Sequence, residues 1–436
     1  MIIKEIENLI LTEKNEKGFV YPLYNSYCLI KIPEFTLSFF NIKSKNESLI
    51  YKILEEKLSN LSSINKIVLI LLDGLGYNYF IKNYKNLNFF NAIVNKGVCL
   101  PLTTVFPSTT TSALATIDTG LTPQEHALLE WYMYLEEFGD IIVTMHFTPF
   151  NEECEDKLFE EGIKPKVLFN NETVYQKLKR KGVKSFSFIN SSYASKAYAK
   201  LMRKGSEIHP FINFSDLIVN LKKLLEKEKG PAYFYVYWDA LDAIEHRYGL
   251  NNEAQNLEFH VLNFILTSAL RNIQKNIAEE TLIIVTSDHG QITVNPKETI
   301  YLNKFRKLKE SFRRNVKGKI VLPSGSPRDL YLHLKPNKIN EVKDFLSYKL
   351  KNKAYIIDVE TAVKQGLFGF SNKKPKKKFY ERAGDLIILP LNNNTVWYKH
   401  VKGEKLRYTG LHGGLSKDEM VIPFAVAKLS QIQEEF

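Results

Sequence analysis

The strongest constraint on this chain is a set of short apolar runs, each cut off abruptly at a polar turn. "KIVLILL" (66–72) stops at "DGLG", "AYFYVYW" (232–238) at "DALDAIEHRYG", and "TLIIVT" (281–286) at "SDHGQ". "DLIILPL" (385–391) is a fourth run of the same kind. A strand with one wet face alternates apolar and polar residues. A run that is apolar throughout needs both faces covered, as in parallel sheets with helices on either side. Helical patterns lie between the runs, at 216–229 ("DLIVNLKKLLEKEK") and 256–280 ("NLEFHVLNFILTSALRNIQKNIAEE"). The alternation predicts an α/β fold: a doubly wound, mostly parallel sheet with helices on both faces.

A chain of 436 residues can bury a large core, and residues 1–436 read as one domain. Within it, 294–382 reads as a small inserted α+β cap. It holds "DLYLHLKP", then the helix-like "NKINEVKDFLSYKLKNK", then "AYIIDV".

Ligands of open α/β sheets bind beyond the carboxyl ends of the strands. That is where Asp73, Asp242, His246, Asp288 and His289 are expected. Taken singly, each has an ordinary explanation. An Asp after a strand caps turns, and a lone His such as His412 in "LHGGLS" is commonly structural. Asp242 and His246, four apart on a helical turn, share one face, which suits a surface ion pair as well as a shared metal. Asp239 is a nearby competitor for the same role. Together, Asp73, Asp242, Asp288, His246, His289 and His412 form a ligand set for two divalent ions. Mixed imidazole and carboxylate donors select Zn²⁺ first and Mn²⁺ second.

Residues 106–120 read "FPSTTTSALATIDTG". Ser and Thr before a small-residue helical run are common N-caps. Beside a divalent cation, however, one of these hydroxyls can lose its proton near neutral pH and serve as a nucleophile.

"DGLG", "FPSTTTSALATIDTG", "DAIEHRYG", "SDHG" and "LHGGLS", in that order, resemble the alkaline phosphatase superfamily, and within it the type I phosphodiesterase/nucleotide pyrophosphatase branch. The resemblance implies a binuclear zinc site on an α/β core and a covalent phospho-enzyme intermediate. It implies that Asp73, Thr110, Asp288 and His289 surround one ion and that Asp242, His246 and His412 surround the other. In that superfamily the nucleophile precedes the Gly of the "TG" pair by ten residues, which selects Thr110 before Gly120, with Thr109 and Thr111 as alternatives and Ser108 or Thr109 free to cap the helix. "CLPLT" from Cys99 lacks the Arg of the sulfatase motif, with Thr103 in its place, so a formylglycine sulfatase is not expected. The activity implied is metal-dependent hydrolysis of phosphodiester or pyrophosphate bonds in a nucleotide or related small phosphate ester. Phosphomonoesterase, phosphonate hydrolase and phosphomutase chemistry at the same site are the alternatives.

The net charge of +12 favours anionic partners in general. The excess is concentrated at 303–319 and 372–379, which read as solvated charged surface, with substrate steering as the functional alternative. No nucleic-acid reader motif accompanies them, so a non-catalytic nucleic-acid-binding protein is not expected. The N-terminus has no uninterrupted apolar core of a signal peptide, and no run reaches the ~18–20 apolar residues of a membrane span. Cys28, Cys99 and Cys154 are widely spaced, which suits a reducing compartment, so a cytoplasmic protein is expected.

Overall fold

The structure, a computed structural model, describes residues 2–12, 17–43, 48–58 and 61–436. Seven strands form the main sheet: β1 (Lys66–Leu72), β2 (Val98–Thr103), β3 (Lys184–Asn190), β4 (Glu207–Phe211), β5 (Ala232–Trp238), β6 (Thr281–Thr286) and β7 (Val421–Lys428). Their order is β2-β7-β6-β1-β5-β3-β4. All neighbours are parallel except that β7 runs antiparallel to both β2 and β6. This is the expected mixed α/β architecture.

Strand β1 shows why the runs are continuous. Ile67, Leu69 and Leu71 enter one buried cluster, and Val68, Ile70 and Leu72 enter another on the opposite face. Period-two alternation therefore places every residue of the strand in an apolar layer. Truncating one such Leu or Ile to Ala costs on the order of 2–5 kcal/mol. The helices at Asn88–Lys96, Phe214–Lys227 and Glu253–Leu270 supply much of one layer.

The register fixes the site. Leu71 lies opposite Tyr237 on β5 and Thr286 on β6, all three strands running the same way. Two residues further along each chain stand Asp73, Asp239 and Asp288, at a single edge of the sheet.

Two expectations need correction. The run at 385–391 does not join the parallel sheet. Leu386–Pro390 lies in a separate antiparallel sheet, ordered Ser324–Ser326, Asp329–Leu332, Leu386–Pro390, Ala354–Asp358. It is apolar throughout because it too is covered twice. Leu386 and Ile388 pack in a cluster with Val342 and Leu346 of the helix Ile339–Lys349. Ile387 and Leu389 face the main core. This sheet therefore draws one strand from beyond residue 382. The pattern at 256–280 is also not one helix: Glu253–Leu270 ends before a second, short helix, Lys275–Glu279. Among the described residues, no helix is long and apolar enough to cross a membrane.

Candidate active site

Beyond the carboxyl ends of β1, β5 and β6 lies a cleft of about 710 Å³, whose walls include Asp73, Thr110, Asp242, His246 and His412. Asp73 leaves β1 directly, and Gly74 follows at φ +77°. An added Cβ there would meet the main chain of Asp242 at 3.0 Å, so this turn and the helix α2 (Ala240–Tyr248) can approach only through glycine. Helix α2 carries Asp242 and His246 on one face, His246 Nε2 lying 3.4 Å from Asp242 Oδ2. Asp288 and His289 occupy the turn after β6. Asp288 Oδ1 accepts from the main-chain N–H groups of His289 at 2.9 Å and of Gly74 at 3.2 Å. His412 arrives from the far end of the chain, held by the bridge between Ser108 and Gly413.

Of the seven residues singled out from the sequence, five line this cleft, and Asp288 and His289 are fully buried at the same edge of the sheet, Asp288 standing outside both donor groups. The donor atoms of Asp242, His246 and His412 lie within 4.8 Å of one another, and so do those of Asp73, Asp242 and His289. His289 Nε2 is 3.3 Å from Asp288 Oδ2 and 3.5 Å from Asp73 Oδ1. Asp242 belongs to both groups, its Oδ1 lying 3.8 Å from His412 Nε2.

The hydroxyl run also resolves. Helix α1 (Thr110–Thr119) has Thr109 as its N-cap, accepting from Ser112 N and donating to Leu129 O at 2.8 Å. Thr111 Oγ1 is buried without a partner. Thr110, in the first turn, lines the cleft and places its hydroxyl 3.0 Å from His289 Nε2. Gly120 ends the helix in the left-handed region at φ +68°.

The three imidazoles have one orientation in common. Nδ1 of His246 meets Gly410 O at 2.8 Å, Nδ1 of His289 meets Gly290 O at 3.1 Å, and Nδ1 of His412 meets Ser108 O at 2.9 Å. A carbonyl only accepts, so Nδ1 carries a proton in all three and Nε2 is the nitrogen turned to the cleft. Burial depresses His289 to about 4 and His412 to about 3, keeping both neutral. Two of the carboxylates shift the other way, whereas Asp242, despite its burial, is held low by the three imidazoles around it. Burial, then repulsion from Asp288 and Asp242, raises Asp73 well above the usual range, and burial pushes Asp288 up to about 6.

Asp73 Oδ1 and Asp288 Oδ2 are buried and take no hydrogen bond. Crowded carboxylates with unsatisfied oxygens, beside neutral imidazoles presenting lone pairs, fit divalent cations.

Sequence reasoning missed the residues that hold this set in place. Tyr237 donates its hydroxyl to Asp73 Oδ2, and Gln291 Nε2 donates to Asp242 Oδ1 and, at 3.1 Å, to Asp242 O. Tyr193 donates to Asp239 Oδ2 at 3.1 Å on the cleft wall, so Asp239 stands beside the donor set without joining it. A phenol at the last inward position of a buried strand, and an amide directly after "SDHG", were the available signals. Arg328 and Arg382, candidate anion contacts, are structural: Arg328 pairs with buried Glu419 at 2.8 Å, and Arg382 donates to the carbonyls of Ala127, Leu168 and Val167.

The sheet order and the Asp/His cluster at its carboxyl edge define a metal-dependent hydrolase of the phosphodiesterase class. The chain matches the type I phosphodiesterase/nucleotide pyrophosphatase family over residues 67–415, and it belongs to that family. Solved structures of murine and human ectonucleotide pyrophosphatase/phosphodiesterase 5 share the fold. The murine protein superposes with a TM-score of 0.62 at 16% identity, covering 83% of this chain and 87% of that one. The human protein gives the same score and coverages at 17% identity. An inactive threonine-to-alanine variant of the murine enzyme, in complex with AMP, matches at 15% identity with the same TM-score. The comparison with curated proteins matched none.

Proposed function

We propose that this cleft hydrolyses phosphodiester or pyrophosphate bonds of a nucleotide or related small phosphate ester, through a phosphothreonine on Thr110. The observation that carries the reading is the placement of Thr110: of the neighbouring Thr hydroxyls, Thr109 is tied to Leu129 O and Thr111 is buried, whereas Thr110 faces the donor set. Asp73, Asp288 and His289 would hold one cation with Thr110, and Asp242, His246 and His412 the other. Zn²⁺ is the preferred ion and Mn²⁺ the next, from the mixed donors. Bound there, the pair of ions would supply Lewis-acid stabilisation of charge on the attacking and leaving oxygens. The first turn of α1 presents its N–H groups to the phosphoryl oxygens. Thr110 attacks phosphorus in line, and water then cleaves the phosphothreonine.

A nucleotide suits the cleft walls. Trp131, Tyr132, Trp397 and Tyr408 line it as aromatic groups suited to a base, and Lys196 and Arg407 as cationic groups suited to phosphates. The AMP held by the murine relative supports the same substrate class.

Thr110→Ala is expected to abolish turnover while leaving the fold and the bound metal unchanged; hydrolysis at the unmodified rate would overturn the nucleophile assignment. Rates on a bis-aryl phosphate and on an aryl monophosphate separate diesterase from monoesterase action, and a higher rate on the monophosphate would overturn the diester preference.

A further inference from the structure

The two basic runs, 303–319 and 372–379, lie outside the cleft walls and meet at one place on the surface. The strands Tyr132–Leu135 and Asp140–Val143 pair antiparallel, and the turn that joins them stands between the runs. Glu136 pairs with Arg313 at 3.6 Å and Asp140 with Lys319 at 2.6 Å, both cations belonging to the first run. Glu137 pairs with Lys378 of the second run at 3.0 Å. Lys378 also donates to Val167 O at 2.8 Å, which brings a third basic segment, 164–167, to the same face. The acids here are already taken: Glu136, Glu137 and Asp140 as above, and Glu381 by Lys377 at 2.8 Å. Lys164, Lys166, Arg314, Lys317, Lys374 and Lys376 are exposed and, among the described residues, none of them is in an ion pair. Glu161 and Glu310, in the flanking segments, are too few to balance them. These neighbouring, uncompensated cations attract a surface of dense negative charge.

Residues 313–321 form a second hairpin on this face. Arg314 bridges to Ile320, and the Asn315 N–H donates to Lys319 O at 2.9 Å. Asn315 also organises the tip. Its Oδ1 accepts from the N–H groups of Lys317 and Lys319, both at 2.9 Å, its carbonyl accepts from Gly318 N at 2.9 Å, and its Nδ2 donates to Gly139 O at 2.6 Å. Gly318, at φ +78°, supplies the left-handed turn. Between Arg314 and Lys317 stands Val316, 89% exposed. Phe159, 54% exposed, precedes the 164–167 segment. An aliphatic side chain held out on a tip whose N–H groups are turned inward is disfavoured in water and favoured in the interfacial layer of a bilayer. Val316 has no ring on which a nucleic-acid base could stack.

We propose that this face docks on an anionic lipid bilayer, its unpaired Lys and Arg side chains against the headgroups and Val316 entering the interfacial layer. The docking is separate from the chemistry of the cleft. The face lies at the turn of the 132–143 hairpin, whereas Trp131 and Tyr132, at the other end of that hairpin, line the cleft.

The test is co-sedimentation with vesicles of phosphatidylcholine alone and of phosphatidylcholine mixed with phosphatidylserine. Binding is expected to the mixed vesicles only, and it should weaken as salt is raised. A Lys or Arg beside an anionic membrane contributes about fivefold in affinity, so Lys317→Gln should lose about that factor, and Lys374→Gln with Lys376→Gln about 25-fold. Val316→Ser leaves the charge unchanged and should weaken binding by about 3- to 10-fold. Val316→Trp should give an indole emission that moves to the blue on mixed vesicles, relative to the parent. Every variant should keep the parental thermal unfolding, so that a loss of binding reports the face itself. Absence of binding to the mixed vesicles would overturn the proposal, as would equal binding by the parent and Val316→Ser. Retention of a homopolymeric RNA in place of the vesicles would overturn it too, in favour of nucleic acid. None of these measurements needs turnover, so their failure is distinguishable from failure of the hydrolase reading, which Thr110→Ala reports.

Discussion

Tyr237 donates its hydroxyl proton to Asp73 across the boundary between neighbouring parallel strands. The register makes this contact available: Tyr237 lies opposite Leu71, and Asp73 follows two residues on, at the point where β1 ends. One carboxylate oxygen is thereby fixed, leaving Oδ1 directed towards His289, 3.5 Å away. Outer hydrogen bonds of this kind orient cation ligands and are worth about 10–100-fold in metal affinity. Tyr237→Phe removes only the donor and keeps the ring volume. Its apoprotein should bind Zn²⁺ or Mn²⁺ about 10–100-fold more weakly, at near-unchanged thermal stability, in calorimetric titration. Unaltered affinity would show that Asp73 is positioned by its backbone alone.

Gln291 performs the corresponding task for Asp242. Its Nε2 donates to both the carbonyl and the carboxylate of Asp242, tying the "SDHGQ" turn to α2. Gly410 is required beside it, because an added Cβ there would stand 2.2 Å from the main-chain oxygen of Glu245, as well as 2.5 Å from Gln291 Oε1. Gln291→Leu removes the donor and keeps much of the volume, so its apoprotein is expected to bind Zn²⁺ or Mn²⁺ about 10–100-fold more weakly in calorimetric titration. Unaltered affinity would mean that the amide does not orient Asp242.

Much of this arrangement was legible in the sequence because it depends on local features. A strand covered twice must be apolar throughout, so β1, β5 and β6 announced themselves, and residues directly after such strands must emerge at one edge. Sheet membership is a different matter. Leu386–Pro390 has the same composition as β6 yet pairs antiparallel in another sheet, since apolarity reports burial and says nothing of which distant strand forms the hydrogen bonds. The hydroxyl run was ambiguous for a related reason. Thr109 and Thr110 have the same chemistry, and only the direction from which β6 delivers His289 separates the cap from the hydroxyl facing the site. Tyr237 and Gln291 were hidden because each looked like an ordinary member of its strand or turn.

Gly290 closes the "SDHG" turn at a point where no side chain fits. A Cβ on it would lie 2.1 Å from Asp418 O and 2.9 Å from the Cα of Gly76, both main-chain atoms. Neither can yield without moving the turn that carries Asp288 and His289. Gly290→Ala should therefore lower stability by about 1–3 kcal/mol, as overpacking does, and weaken cation binding in step with the displacement of His289. Urea denaturation and metal titration of the same preparation check both parts. A variant with parental stability and affinity would mean that the turn has slack that the distances deny.

Arg328 and Glu419 form a deeply buried ion pair near the cleft, with side chains 1% and 0% exposed and two parallel contacts of 2.9 and 2.8 Å. Glu419 also accepts from Gly414 N and Ser416 N, so it anchors the segment that carries His412. Burial alone would raise its pKa, but the Arg328 guanidinium outweighs this and holds Glu419 below the usual range. A carboxyl depressed in the folded state stabilises fully above its unfolded pKa of about 4.3, and the contribution disappears as pH falls through the lower, folded value. Removing one partner strands the other charge: Arg328→Met should cost about 3–5 kcal/mol at pH 7. Replacing both, as Arg328→Met with Glu419→Leu, should recover much of that loss and flatten the stability profile below pH 4.3 relative to the parent. If the double variant loses stability on acidification as steeply as the parent, the pair is not the source of that acid sensitivity.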